Sequence, residues 1–260
     1  MYTQSAVKLL INIDGIATIT LSRPDVANAL NSQMALELKD VFAKIPPNVS
    51  VVILTGEGSK AFCAGADLKE RSNMTVGDWQ VQHQQFRHAL QGVMNCQVPV
   101  IAAVNGAAYG GGLELALVCD FIYAAKNAYF AFPEASLGIM PGMGGTQNFP
   151  RAVGLRRAKE LLFTGNSFSA AEAYEWGMVN MVCDGEHLLE HVNACALNIA
   201  SAAPLSISTI KRVATNNIHN KIDEALIEES AHYNRLLGLS DRAEGTSAFR
   251  EKRRPIFTGK

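Results

Sequence analysis

"VPVIAAVNGAAYGGGLELALVCDFIYAA", residues 98–125, decides the fold. Its opening, Val98–Gly106, is apolar almost throughout and reads as a strand buried on both faces. Three glycines, Gly110, Gly111 and Gly112, then lead into a helix through "LELALVCD", and "FIYAA" (121–125) returns as a short strand. Strand, helix and strand in that order predict an α/β core with parallel strands. The flanks agree. Residues 6–13 and 16–21 are β-type runs joined by Asp14-Gly15, a hairpin pair. A helical pattern follows from Ser32 to Ala43, "VSVVILTG" (49–56) is a second doubly buried strand, and a polar helix spans about 77–95. "AYFAF" (128–132) is strand-like. From Gly145 onward the pattern is helical, as in "TQNFPRAVGLRRAKELLFTG", with little strand besides "MVNMVC" (178–183). The expected organisation is an α/β core over 1–200 and a helical region over 201–260.

Composition narrows the function classes. Of 260 residues 48% are hydrophobic, enough for a large core, and 23 basic residues stand against 24 acidic ones. A net charge of −1 provides no field for nucleic acid or an anionic membrane, and the basic blocks at 154–160 and 250–255 are interleaved with acid. Cys63, Cys96, Cys119, Cys183 and Cys195 form no CxxC pair, which fits free thiols in a reducing compartment. No secretory pattern opens the chain, and no uncharged apolar run reaches the ~18 residues that span a bilayer. A soluble, intracellular protein is expected.

Two acids stand out. Glu114 shares its helix face with Gly110, Gly111, Leu117, Val118 and Phe121, so it joins no polar stripe. The macrodipole could stabilise an anion at that helix start; the alternative is a carboxylate held for chemistry, its pKa raised by desolvation. Glu134, in "AYFAFPEASLG" (128–138), is a second lone acid among apolar residues. The glycines before Glu114 serve either tight packing or close approach of a ligand to the free N–H groups of a helix start. The Walker Lys-Ser/Thr, GxGxxG, GxSxG and HExxH patterns are all absent. "FCAGADLKE" (62–70) offers another exposed N–H at Ala66, in a turn following a buried strand. Two turns with backbone donors can make an oxyanion hole, and two carboxylates can move protons.

"SRPDVANAL", "AFCAGADLKE", "PVIAAVNGAAYGGGLELALVCD", "FAFPEASLGIMPGMGGTQNFPRAVG", "AAEAYEWGMVN" and "AFREKRRPIF" span nearly the whole chain. With these stretches the chain resembles an enoyl-CoA hydratase of the crotonase superfamily, and "FCAGADLKER" with "GGGLELAL" is similar to the methylglutaconyl-CoA hydratases. The resemblance implies a spiral of ββα turns with a helical C-terminal trimerisation region, assembled as a homotrimer or a dimer of trimers. It makes Ala66 and Gly111 the N–H donors to a thioester oxygen. Glu114 becomes the base towards water and Glu134 the proton donor to the α-carbon. Coenzyme A, part of the substrate rather than a separate cofactor, is expected across the turn of Ala64, Gly65, Asp67, Leu68 and Lys69. Val26, Gly110, Pro133 and Gly142 are expected at the substrate too, and residues 72–86 along the acyl chain. Phe249 and Lys252 match tail positions that reach a neighbouring subunit's ligand. No metal is implied, nor any membrane or nucleic-acid partner. The expected compartment is the cytoplasm, or an organelle after loss of a transit peptide.

"TQNFPR" departs from the commoner "TQRLPR" at Asn148 and Phe149, which bears on local loop contacts. The alternatives are a Δ3,Δ2-enoyl-CoA isomerase, which commonly lacks the first glutamate, and an RNA-binding relative of methylglutaconyl-CoA hydratase, which the charge balance disfavours. A non-catalytic member of the superfamily would not need both carboxylates.

Overall fold

The hairpin at Asp14-Gly15 joins β1 (Val7–Ile11) to β2 (Ile16–Leu21), antiparallel as expected, in a computed structural model that describes residues 5–260. Residues 1–4, where the N-terminal leader reading begins, lie outside the described residues. Helix α1 (Ser32–Ala43) starts at Asn31, whose side chain accepts from the Met34 N–H. Strands β3 (Val51–Gly56) and β4 (Ala61–Cys63) follow, then α2 (Leu68–Arg71) and α3 (Val76–Met94), the latter opened by a Thr75–Asp78 capping box. The next turn of chain brings β5 (Val100–Val104), β6 (Ala107–Tyr109) and α4 (Gly111–Leu117). After it come β7 (Phe121–Ala125), β8 (Tyr129–Ala131), α5 (Gly145–Val153) and α6 (Leu155–Thr164). Strand β9 (Phe168–Ser169), α7 (Ala170–Glu175) and β10 (Met181–Cys183) complete the sheets. Helices α8 (Leu188–Ala200), α9 (Pro204–Asn217), α10 (Ile222–Leu237) and α11 (Ser240–Glu251) end the chain.

From β3 to β8 successive strands alternate between two sheets. The larger runs β1-β2-β3-β5-β7-β10 and is parallel from β2 on; the smaller runs β4-β6-β8-β9, with only β9 antiparallel. Each turn thus lays one strand in each sheet before its helix, which is the ββα spiral. Period-two alternation explains the doubly apolar strands. Val52, Leu54, Val100, Ala102 and Val104 pack with α1, α3 and the smaller sheet, whereas Val51, Ile53, Ile101 and Ala103 pack with Leu188, Val192 and Ala196 of α8.

The structure corrects the sequence reading in three places. "AFC" (61–63) and "AAY" (107–109), which the sequence reading assigned to no strand, are strands of the second sheet; each has three residues, too few for a period to register. The stretch after Gly145 is two helices, broken at Gly154, whose backbone leaves helical geometry at φ +85°. Phe149 lies on α5 rather than in a loop, fully buried, its ring 5.1 Å from Phe132 and 5.6 Å from Phe168.

Helices α9 and α10 bury no side chain in the isolated chain and present Ile210, Ile222, Leu226, Ile227 and Tyr233 to solvent. Lys211 ties α9 to the larger sheet, its Nζ 2.8 Å from Asp120 and 2.9 Å from the Val98 carbonyl. Among the described residues no helix is long and apolar enough to cross a membrane.

Candidate active site

Strands β4, β6 and β8 lie side by side and parallel, so their C-terminal ends open at one edge. Ala66 follows β4. Leu30 N donates to Gly65 O (2.7 Å) and Asp67 N donates to Leu30 O (2.9 Å), so Ala66 turns its own N–H to the opposite side. Gly110 and Gly111 follow β6. Gly110 has φ +49° and ψ −122°, a conformation glycine adopts without strain, and its turn directs the chain into α4. Helix α4 sits so close to β4 that a Cβ on Gly112 would lie 2.0 Å from Cys63 O. The same proximity brings the two donors together: a Cβ on Gly111 would stand 3.9 Å from Ala66 N. Gly111 N belongs to the first turn of the helix and has no helical acceptor to serve.

Glu114, one turn into α4, is 2% exposed. Its Oε1 accepts from Met143 N (2.6 Å) and Gly145 N (2.8 Å). Burial raises its pKa above the ordinary glutamate value, and those two amides, His83 and Arg71 pull it back. Glu134 follows β8, in a 3-10 turn over Pro133–Leu137. A Cβ on Gly110 would fall 2.8 Å from Glu134 Oε1, so the missing side chain makes room for this acid. Glu134 Oε2 is buried and meets no hydrogen-bond partner among the described residues. Burial pushes its pKa up to about 7; its own backbone amide opposes the shift and the Glu114 charge adds to it. One acid is anchored by two donors and the other is held in apolar surroundings, a pairing suited to base and acid roles.

Both acids face one cleft of about 770 Å³. Of the residues singled out from the sequence, Ala64, Gly65, Ala66, Leu68, Gly110, Gly111, Glu114, Pro133, Glu134 and Gly142 line it. Val26, Asp67, Lys69, Phe249 and Lys252 do not. Asp67 is engaged elsewhere, accepting from Lys69 N and Glu70 N at the start of α2 and from Arg23 Nη2 at 2.9 Å. Phe249 is 88% exposed, on α11, and Lys252 ends that helix at φ +54°.

The sequence reading placed residues 72–86 along the acyl chain, and Trp79 and His83 do line the cleft. It gave no role to Arg71. That side chain is buried in the cleft wall, its guanidinium 4.4 Å from the Trp79 ring and 5.2 Å from Phe86, with Nε donating to Gln82 Oε1 at 2.8 Å. The signal was there in part: Trp79 and Phe86, seven residues apart on one helix, share a face. No group of three or more His, Cys, Asp or Glu among the described residues could hold a metal ion.

Two free amides beside two buried acids, where parallel strands end, are an arrangement able to polarise a carbonyl and move protons next to it. The chain belongs to the enoyl-CoA hydratase/isomerase family, whose model matches residues 12–260. It is 40% identical to the crotonyl-CoA hydratase of Syntrophomonas wolfei over 247 residues, 94% of this chain and 95% of that one. It is 39% identical to a probable mitochondrial enoyl-CoA hydratase 2 of Arabidopsis thaliana over 247 residues, 94% of this chain and 82% of that one. The crystal structure of an enoyl-CoA hydratase from Bacillus anthracis superposes with a TM-score of 0.96 at 40% identity, covering 98% of this chain and all of that one.

Proposed function

We propose that this protein adds water across the 2,3 double bond of a 2-enoyl-CoA thioester to give a 3-hydroxyacyl-CoA. The observation that carries this reading is the pair of buried acids, Glu114 and Glu134, in the same cleft as the Ala66 and Gly111 amides. In this mechanism the two N–H groups hold the thioester oxygen as charge builds on it. Glu114 takes a proton from water while its oxygen attacks C3, and Glu134 delivers a proton to C2. Exchange with solvent through the open cleft returns both carboxyls to their starting states. Moving a double bond needs one well-placed base, so a second acid favours hydration over isomerisation.

Coenzyme A would lie over the Ala64–Lys69 turn, and the reading calls for no cofactor beyond it. Trimer formation through the exposed apolar faces of α9 and α10 would bring Phe249 and Lys252 to a neighbour's ligand. The ultraviolet absorbance of crotonyl-CoA tests the reaction: hydration removes it, whereas an isomerase acting on a 3-enoyl thioester creates it. No loss of absorbance with crotonyl-CoA or its branched and carboxylated analogues would refute the reading.

One observation favours a narrower substrate. Arg71 lines the cleft and its one hydrogen bond, from Nε to Gln82, leaves its outer guanidinium nitrogens without a hydrogen bond among the described residues, although the Glu70 and Glu114 charges act on it. A terminal carboxylate on the acyl group, as in methylglutaconyl-CoA, would pair with it. A higher kcat/KM for glutaconyl-CoA than for crotonyl-CoA is expected, and the reverse order would refute this narrower reading.

A further inference from the structure

Residues 140–143 line the cleft without a single backbone–backbone hydrogen bond among the described residues. Among the described residues two hydrogen bonds hold this segment, and both fall on the peptide group between Gly142 and Met143. On one side His83 Nε2 lies 2.9 Å from Gly142 O. A carbonyl only accepts, so Nε2 carries the proton and donates. On the other side the Met143 N–H of the same peptide donates to Glu114 Oε1 at 2.6 Å. The approach at Gly142 is tight: a Cβ there would stand 2.6 Å from His83 Nε2.

We infer that His83 is a positioning residue for Glu114, acting through the Gly142–Met143 peptide. A peptide group is planar, so fixing its oxygen fixes the direction of its N–H. Accepting a hydrogen bond at oxygen also polarises the group and strengthens the bond its N–H donates. The imidazole on α3 thereby aims and tightens the amide that pins Oε1. The Glu114 carboxylate is then oriented so that its other oxygen, which accepts from no group among the described residues, faces the cleft. The inference rests on the role proposed above for Glu114.

His83→Phe keeps a ring and loses the donor; His83→Gln restores an N–H donor at comparable reach. With crotonyl-CoA, His83→Phe should lower kcat by roughly tenfold, within the range that misplaced catalytic groups cost, with a smaller change in KM. His83→Gln should recover most of that loss. The acid limb of the kcat–pH profile supplies a second readout. The charged groups acting on Glu114 are Glu134, Arg71 and His83 itself, and Arg87 of α3 also faces the cleft. Both variants lack an ionisable side chain at position 83, so a difference between them reports the hydrogen bond alone. The limb should lie at higher pH in His83→Phe than in His83→Gln, because a weaker Met143 N–H bond leaves the carboxylate less stabilised. Wild-type kcat in His83→Phe, no recovery in His83→Gln, or coincident acid limbs in the two variants would overturn the inference while leaving hydration standing. Absence of hydration by the wild-type enzyme would remove the proposed function, and this inference with it.

Discussion

Gly110→Ala tests how one missing side chain serves both the backbone and the chemistry. An added Cβ would stand 2.8 Å from Glu134 Oε1, so the carboxyl must retreat to at least the 3.4 Å of ordinary contact. The carboxyl ends a flexible side chain, so it moves rather than blocking folding. Alanine must also adopt φ +49° with ψ −122°, which costs about 1–3 kcal/mol in stability for such sparsely populated conformations. At ~2–4 °C per kcal/mol for a chain near this size, Tm should fall by several degrees. A displaced acid should cost far more in rate, on the order of 10–10²-fold in kcat, because misplacement by ~1 Å can cost 10²-fold. Gly177→Ala is the control. It sits at φ +81° with nothing within 4 Å of its Cβ and away from the cleft, so it should lose stability and keep kcat. Thermal unfolding and steady-state hydration of crotonyl-CoA on both variants supply the data. A folded Gly110→Ala enzyme with wild-type kcat would refute the argument that this glycine makes room for the second acid.

Glu114→Gln and Glu134→Gln should each keep the fold and lose roughly 10²–10⁴-fold in kcat, the span of acid–base groups, and the double variant should lose less than the product because the two act as a unit; near-normal turnover in either single variant would remove that residue from the mechanism. Glu134 also makes stability depend on pH. Its pKa rises from the usual 4.5 to about 7 on folding, so the native state binds more protons between those values and stability falls as pH rises through them. Glu134→Gln should therefore gain in Tm over wild type as pH climbs from 4.5 to 7, and hydration should decline above about 7 as the acid loses its proton. A Tm difference that stays flat with pH would contradict the raised pKa.

The parts of this site visible in the sequence are those whose environment is local. Glu114 and Glu134 stood out because their chain neighbours are apolar, and burial in the folded protein has the same cause. The doubly buried strands were legible since both faces of β3 and β5 meet packed layers. Long-range partners left little trace. Arg71 depends on rings from α3 and on Gln82, and His83 on a carbonyl 59 residues away. Of the second sheet β8 was visible as "AYFAF", but β4 and β6 left no trace for a related reason. Those two strands have three residues each and are held by pairing across turns of the spiral.

The alternation of the two sheets divides the chemistry by turn of the spiral. The first turn, ending in β4, supplies Ala66; the second, ending in β6, supplies Gly111 and Glu114; the third, ending in β8, supplies Glu134. In the proposed mechanism the carbonyl grip therefore belongs to the first two turns and the second proton handler to the third. A lineage could rewrite residue 134 and change what happens at C2 while the thioester stayed clasped as before. On the proposed mechanism the architecture keeps a constant hand on the substrate and leaves the third turn free to choose the reaction.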